Sequence, residues 1–157
     1  MAAPGVPVSL LSRVLRPWWR LTRGLTLGAQ GVVLDAEARV LLVRHGYRPG
    51  WFFPGGGVER HETVAQALAR EVLEESGVEL TGDPQLHGLF ANIKRFPGDH
   101  IAVYVIREWR QPRVPRPNAE IVEQGFFPAD SLPKNVDPGT RRRMDEILHG
   151  APHAKNW

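Results

Sequence analysis

Three carboxylates, Glu71, Glu74 and Glu75, stand at i, i+3 and i+4 in the run Arg70-Glu-Val-Leu-Glu-Glu-Ser-Gly77. Residues so spaced are neighbours on a helix surface. Like charges crowded there repel, by on the order of 4 kcal/mol per pair at ~4 Å and a surface-like dielectric. A divalent cation reverses that sign, because hard oxygen ligands are what Mg²⁺ and Mn²⁺ prefer. Gly55, Gly56 and Gly57, read as a turn ahead of the helix, let backbone approach a metal or a phosphate closely. Taken alone, an E-V-L-E-E run reads as a solvated helix face. The residues around it decide between the two.

Thr63-Val-Ala-Gln66 has the capping-box pattern, with Thr63 as N-cap and Gln66 reaching back to it. Gly77 can take the left-handed conformation that ends the helix. At ~100° per residue, Ala65, Leu68, Ala69, Val72 and Leu73 gather on an apolar arc. The three glutamates gather on the adjacent one. Arg70, at the far edge, is expected to pair with Glu62 or a helix carboxylate and so to orient the ligands.

From Gly56 to Val78 the chain resembles the Nudix box: Gly56, Glu62, Arg70, Glu71, an apolar Val72, Glu74, Glu75, Gly77 and an apolar Val78 fall at every specified position. Seven fixed identities at background usage would coincide in a given register with probability on the order of 10⁻⁸. The resemblance implies an α/β/α sandwich with a mixed β-sheet. It also implies metal-dependent hydrolysis of a pyrophosphate bridge in a nucleoside diphosphate derivative, with Mg²⁺ (or Mn²⁺) as the cofactor and no organic cofactor. By the box match Glu74 and Glu75 are ligands, and Glu71 is a third ligand or the base that activates water. In the family the carbonyl of the residue before the first box glycine often joins the metal, which implies Gly55 here. Glu59, in the loop before the helix, can reach the same ions or remain solvated. A downstream general base is the alternative to Glu71, and Glu120 and Glu123 are the candidates. Arg70, Glu71, Glu74, Glu75 and Glu120 are thus the candidate catalytic residues.

The family marks of substrate are incomplete. A proline near Lys94 is replaced by Pro97, and Tyr104 lies beyond the position of a dinucleoside-polyphosphate tyrosine. Leu41, Leu42, Arg44, Arg48 and Phe53-Pro-Gly-Gly56 echo a coenzyme A pattern, but the arginine spacing fails. Phe90, Asn92, Tyr47 and Trp51 can stack on or hydrogen-bond a base, although packing accounts for each equally well. Two readings stand beside the hydrolase of small nucleotides: a non-catalytic nucleotide sensor, and a pyrophosphohydrolase acting on RNA 5′ ends.

At 157 residues and 42% hydrophobic content the chain makes one domain with a proper core. It has no cysteine, which excludes disulfides, thiolate catalysis and Cys-type zinc sites and suits a cytoplasmic setting. No apolar run is long enough for a membrane span. Arg13, Arg16, Arg20 and Arg23 are the only charges before Asp35, leaving 16 basic against 17 acidic residues in the rest. Such a basic arm suits polyphosphate substrates, and a solvated basic terminus is the equal alternative. An Arg-rich, acid-free start is also the composition of a mitochondrial transit peptide. Leu10, Leu11, Val14, Leu15 and Trp18 instead favour a short helix, interrupted at Pro17, packed on the domain.

Along the chain, Leu25 to Leu34 and Val40 to Val43 read as a hairpin about Asp35-Ala-Glu-Ala38. Trp51 to Phe53 is extended. Leu86 to Ala91 pairs with Ile101 to Trp109, and Ile121 to Phe127 is a further strand. Asp137-Pro138 opens a last helix that runs through Leu148. The expected division is a basic segment over 1–24, the domain over 25–150, and a frayed tail over 151–157.

Overall fold

The computed structural model describes residues 24–157. The helix expected between Val8 and Leu21 lies outside the described residues. Eight strands and two helices follow one another: β1 (Thr26–Val33), β2 (Val40–His45), β3 (Gly55–Gly57), α1 (Val64–Ser76), β4 (Glu79–Leu80), β5 (Gln85–Ala91), β6 (Asp99–Ile106), β7 (Trp109–Arg110), β8 (Ile121–Phe127) and α2 (Pro138–His149).

A four-stranded sheet in the order β3-β1-β6-β5 lies at the centre. It is mixed, because β1 runs parallel to β6 while β3 and β5 are antiparallel to their neighbours. Alternation along the strands sends the side chains to two faces. Val32, Ile101, Val103, Val105 and Phe90 meet Met144 of α2 on one face. Ala29, Val33 and Ile106 meet Ala67, Leu68 and Val72 of α1 on the other. A sheet between two helices is the α/β/α sandwich that was expected.

Both helices end as their sequences dictate. The Thr63 hydroxyl accepts from the Gln66 N–H, the Gln66 side chain accepts from the Thr63 N–H, and Gly77 caps the helix at φ 74°. The Asp137 carboxylate accepts from the N–H groups of Gly139 and Thr140, with Pro138 in the first turn and Gly150 at φ 66° beyond the end.

Four local expectations need correction. The first hairpin does not zip up: β1 and β2 share one bridge, Leu34 to Val40, because β1 is taken on both sides by β3 and β6 while β2 pairs with β8. The triple glycine is not a turn but the edge strand β3, in register with Gly28 to Gln30. The buried arc of α1 is rotated. Ala65 and Leu73 are exposed, whereas Ala67, Glu75 and Ser76 are buried. Finally, the tail is not frayed. The Ala91 N–H donates to Lys155, the Trp157 N–H returns the bond to Ala91, and the Trp157 indole donates to Asp137. Arg143, fully buried, stacks on Phe90, donates to Asn156 and clamps Glu146 through two hydrogen bonds, at 2.9 and 2.6 Å. The tail is held by that buried charge network.

Candidate active site

Edge strand β3 forms one wall of a cleft of about 510 Å³, lined by Gln30, Gly55, Gly56, Gly57, Tyr47 and Arg48 among others, and Glu71 and Glu75 of α1 lie against the same strand. Two glycines are required there by close approach. A Cβ on Gly56 would collide with the Glu71 carboxylate, and Gly55, at φ 148°, has the backbone of Ala29 where a side chain would go. The Glu71 carboxylate therefore rests on the Gly56 backbone.

Glu75 turns inward. It is 4% exposed and its Oε2 accepts the Gly55 N–H at 2.8 Å. Burial pushes its carboxyl up to about 8; the Gly55 hydrogen bond opposes this, and the charges of Glu71 and Glu120 add to it. Metal-free Glu75 thus holds its proton near neutral pH. His45 beside it is also neutral, since burial and the Arg48 charge lower it to about 4. The 3.8 Å approach of His45 Nδ1 to Glu75 Oε1 is therefore no ion pair.

Arg70 organises the other carboxylates. Its guanidinium donates to both oxygens of Glu62 at 2.7 and 3.2 Å, to Glu71 Oε1 at 2.7 Å and to the Gly57 carbonyl at 3.2 Å. Those partners hold its proton more firmly than usual, Glu62 most of all. Glu62 in turn is held below the usual carboxylate range by Arg70 and by the Glu59 N–H. The expected pairing of Arg70 with Glu62 and a helix carboxylate is present.

The remaining candidates are less converged. Glu74 stands at the rim of α1 with its side chain 61% exposed, 3.5 Å from Arg70. Glu59 is exposed, and only its backbone joins the Glu62 arrangement. Glu120 precedes β8, with its N–H on Asn118 and its carbonyl accepting from Gly46. Its charge reaches both Glu75 and the Tyr47 hydroxyl. Glu123, by contrast, is bound by Arg44 at 2.7 Å. Of the groups weighed for base contact, Tyr47 and Asn92 line the cleft, while Phe90 and Trp51 belong to the core.

The donor set fits a divalent cation. Two carboxylates, Glu71 and Glu75, lie against the glycine strand, and the buried Oε1 of Gln30, paired with Gly55 on the adjacent strand, is an acceptor without a donor among the described residues. Sequence reasoning missed His45 and Gln30 and saw Arg48 only within an imperfect motif. No local pattern announces them: Gln30 reaches β3 through the β1–β3 pairing, His45 ends β2, and Arg48 follows in the segment folded back by the Val43–Phe52 bridge. A second cluster, His87, Glu146 and His153, places three ligand-type atoms within 4.8 Å. Both Glu146 oxygens are already occupied there by Arg143, His87 and the Ala154 N–H.

A family profile described as NUDIX domain matches residues 24–147, and the chain belongs to that family of hydrolases. A MutT-like protein of Streptomyces ambofaciens is 29% identical over 132 residues, covering 83% of this chain and 82% of that one. An 8-oxo-dGTP diphosphatase of Proteus vulgaris is 34% identical over 88 residues, 52% of this chain and 76% of the relative. The crystal structure of a MutT NUDIX hydrolase from Burkholderia pseudomallei superposes with a TM-score of 0.68 at 28% identity, covering 78% of this chain and 98% of that one. Among the described residues no helix is long and apolar enough to cross a membrane.

Proposed function

We propose that this protein is a Mg²⁺-dependent pyrophosphohydrolase of small nucleotides or nucleoside diphosphate derivatives, working in the cytoplasm. Glu75 carries this reading: a carboxyl buried against the Gly55 N–H, beside the Glu71 carboxylate on Gly56, within a complete box. Mn²⁺ is the alternative ion. Glu71, Glu74 and Glu75 with the Gly55 carbonyl would hold the metal, and Glu59 would join only if its loop turned inward.

When bound, the divalent cation would neutralise phosphate charge and lower the pKa of water. The chain's own work is positioning. Arg70 fixes Glu71 and the Glu62 loop so that the carboxylates need little reorganisation. Glu75 gives up its proton when charge is supplied next to it. Glu71 or Glu120 accepts a proton from the attacking water, with water adding to phosphorus and the bridging oxygen leaving with its electron pair. Relatives named as diphosphatases support the reaction class.

Incubation with a panel of nucleoside diphosphate derivatives, with Mg²⁺ or with EDTA, tests the reading. Phosphate-bearing products should form only with the metal. A panel left intact at every Mg²⁺ concentration would reject it.

A further inference from the structure

Arg48 is the anomaly of the cleft. Its guanidinium is half-buried, lies 3.8 Å over the Phe52 ring and donates through Nη2 to His45 Nε2 at 2.8 Å. Its Nε is buried without any hydrogen-bond partner. Among the described residues Arg48 is in no salt bridge, whereas Arg95, which lines the same cleft, is held 3.3 Å from Asp137. Glu75 and Asp137 act on it only at longer range, and a half-buried cation without a carboxylate in contact is costly unless an anion meets it. Orphaned polar atoms also collect here. Of the four buried side-chain atoms without a partner among the described residues, three belong to Gln30, His45 and Arg48.

The His45 geometry shows how Arg48 is kept in place. A guanidinium only donates, so His45 Nε2 accepts and its proton sits on Nδ1. That Nδ1 faces Glu75 Oε1 at 3.8 Å, beyond hydrogen-bond range. With Phe52 beneath and His45 beside it, the guanidinium has donors without a partner among the described residues. Planar guanidinium donors match phosphate oxygens in pairs.

We propose that Arg48, held by His45 and Phe52, is a phosphoryl-binding subsite of this cleft, receiving a phosphoryl group of the substrate's diphosphate beside Glu75. The proposal rests on the pyrophosphohydrolase reading for its substrate but makes a separate demand. Arg48 must bind the anion before any chemistry, and without metal.

Calorimetric titration with inorganic pyrophosphate in EDTA, together with melting of the ligand-free protein, tests it. Wild type should bind pyrophosphate. Arg48→Met should bind it about tenfold or more weakly, the effect expected of a lost hydrogen bond to a charged group, yet melt at the same or a higher temperature. Arg48→Lys should fall between. Unchanged pyrophosphate affinity in Arg48→Met would overturn the proposal, as would wild type that binds none. A lower melting temperature with affinity intact would mark Arg48 as structural and would equally overturn it. Pyrophosphate binding with no turnover of the nucleotide panel would instead sink the hydrolase reading and leave this subsite standing.

Discussion

Arg70 and Glu75 do opposite things with charge. Arg70 touches two glutamates and the Gly57 carbonyl at once, so it sets the angle of Glu71 rather than meeting a substrate. Arg70→Ala should lower kcat by ~10–100-fold, as the loss of an orienting partner does; steady-state kinetics at saturating Mg²⁺ would measure it. Glu75 stores a proton instead. Its folded-state pKa is raised from 4.5 to about 8, chiefly by burial. Between those values the folded protein keeps a proton that the unfolded chain releases. Metal-free stability should therefore fall as pH rises through that window. Urea unfolding in EDTA at pH 5, 6.5 and 8 should show the decline in wild type and a flatter profile in Glu75→Gln. Equal slopes would contradict the account.

At the scale of elements, the box helix was legible because its signals are local. Thr63, Gln66 and Gly77 mark its ends within the segment, and both caps form as written. Thr63→Ala should cost ~1 kcal/mol of stability by chemical denaturation. Strand β3 was not legible, since three glycines in sequence look like a turn. They become a strand only because Gly28 to Gln30 pair with them and the Glu71 carboxylate lies against Gly56. Gly56→Ala should displace that carboxylate and cost about two orders of magnitude in kcat, with thermal melting little changed. The buried face of α1 differs from its hydrophobic arc for a related reason. Hydrophobicity alone sends Glu75 outward, but the Gly55 N–H draws it in, and Ala65 and Leu73 are left to solvent. Partners distant in sequence, such as His45 and Arg48, leave no periodic trace.

For the molecule as a whole, the mixed sheet divides the work between its two faces. One is covered by α1, which carries the acidic cluster, and the other by α2 and the docked tail. Composition and spacing gave no sign of that docking, because it depends on a buried Arg143 and on Trp157 reaching Asp137 and the cleft wall. Trp157→Ala should lower stability by ~2 kcal/mol in urea, less than a fully buried tryptophan would cost. Beneath all of this lies one claim, that the inward carboxylates of α1 capture a divalent ion. Titration of Mn²⁺ followed by electron paramagnetic resonance, in wild type and in Glu75→Gln, tests it most directly. Saturable binding in wild type that weakens at least tenfold in the variant is the predicted result; the same affinity in both proteins would contradict it.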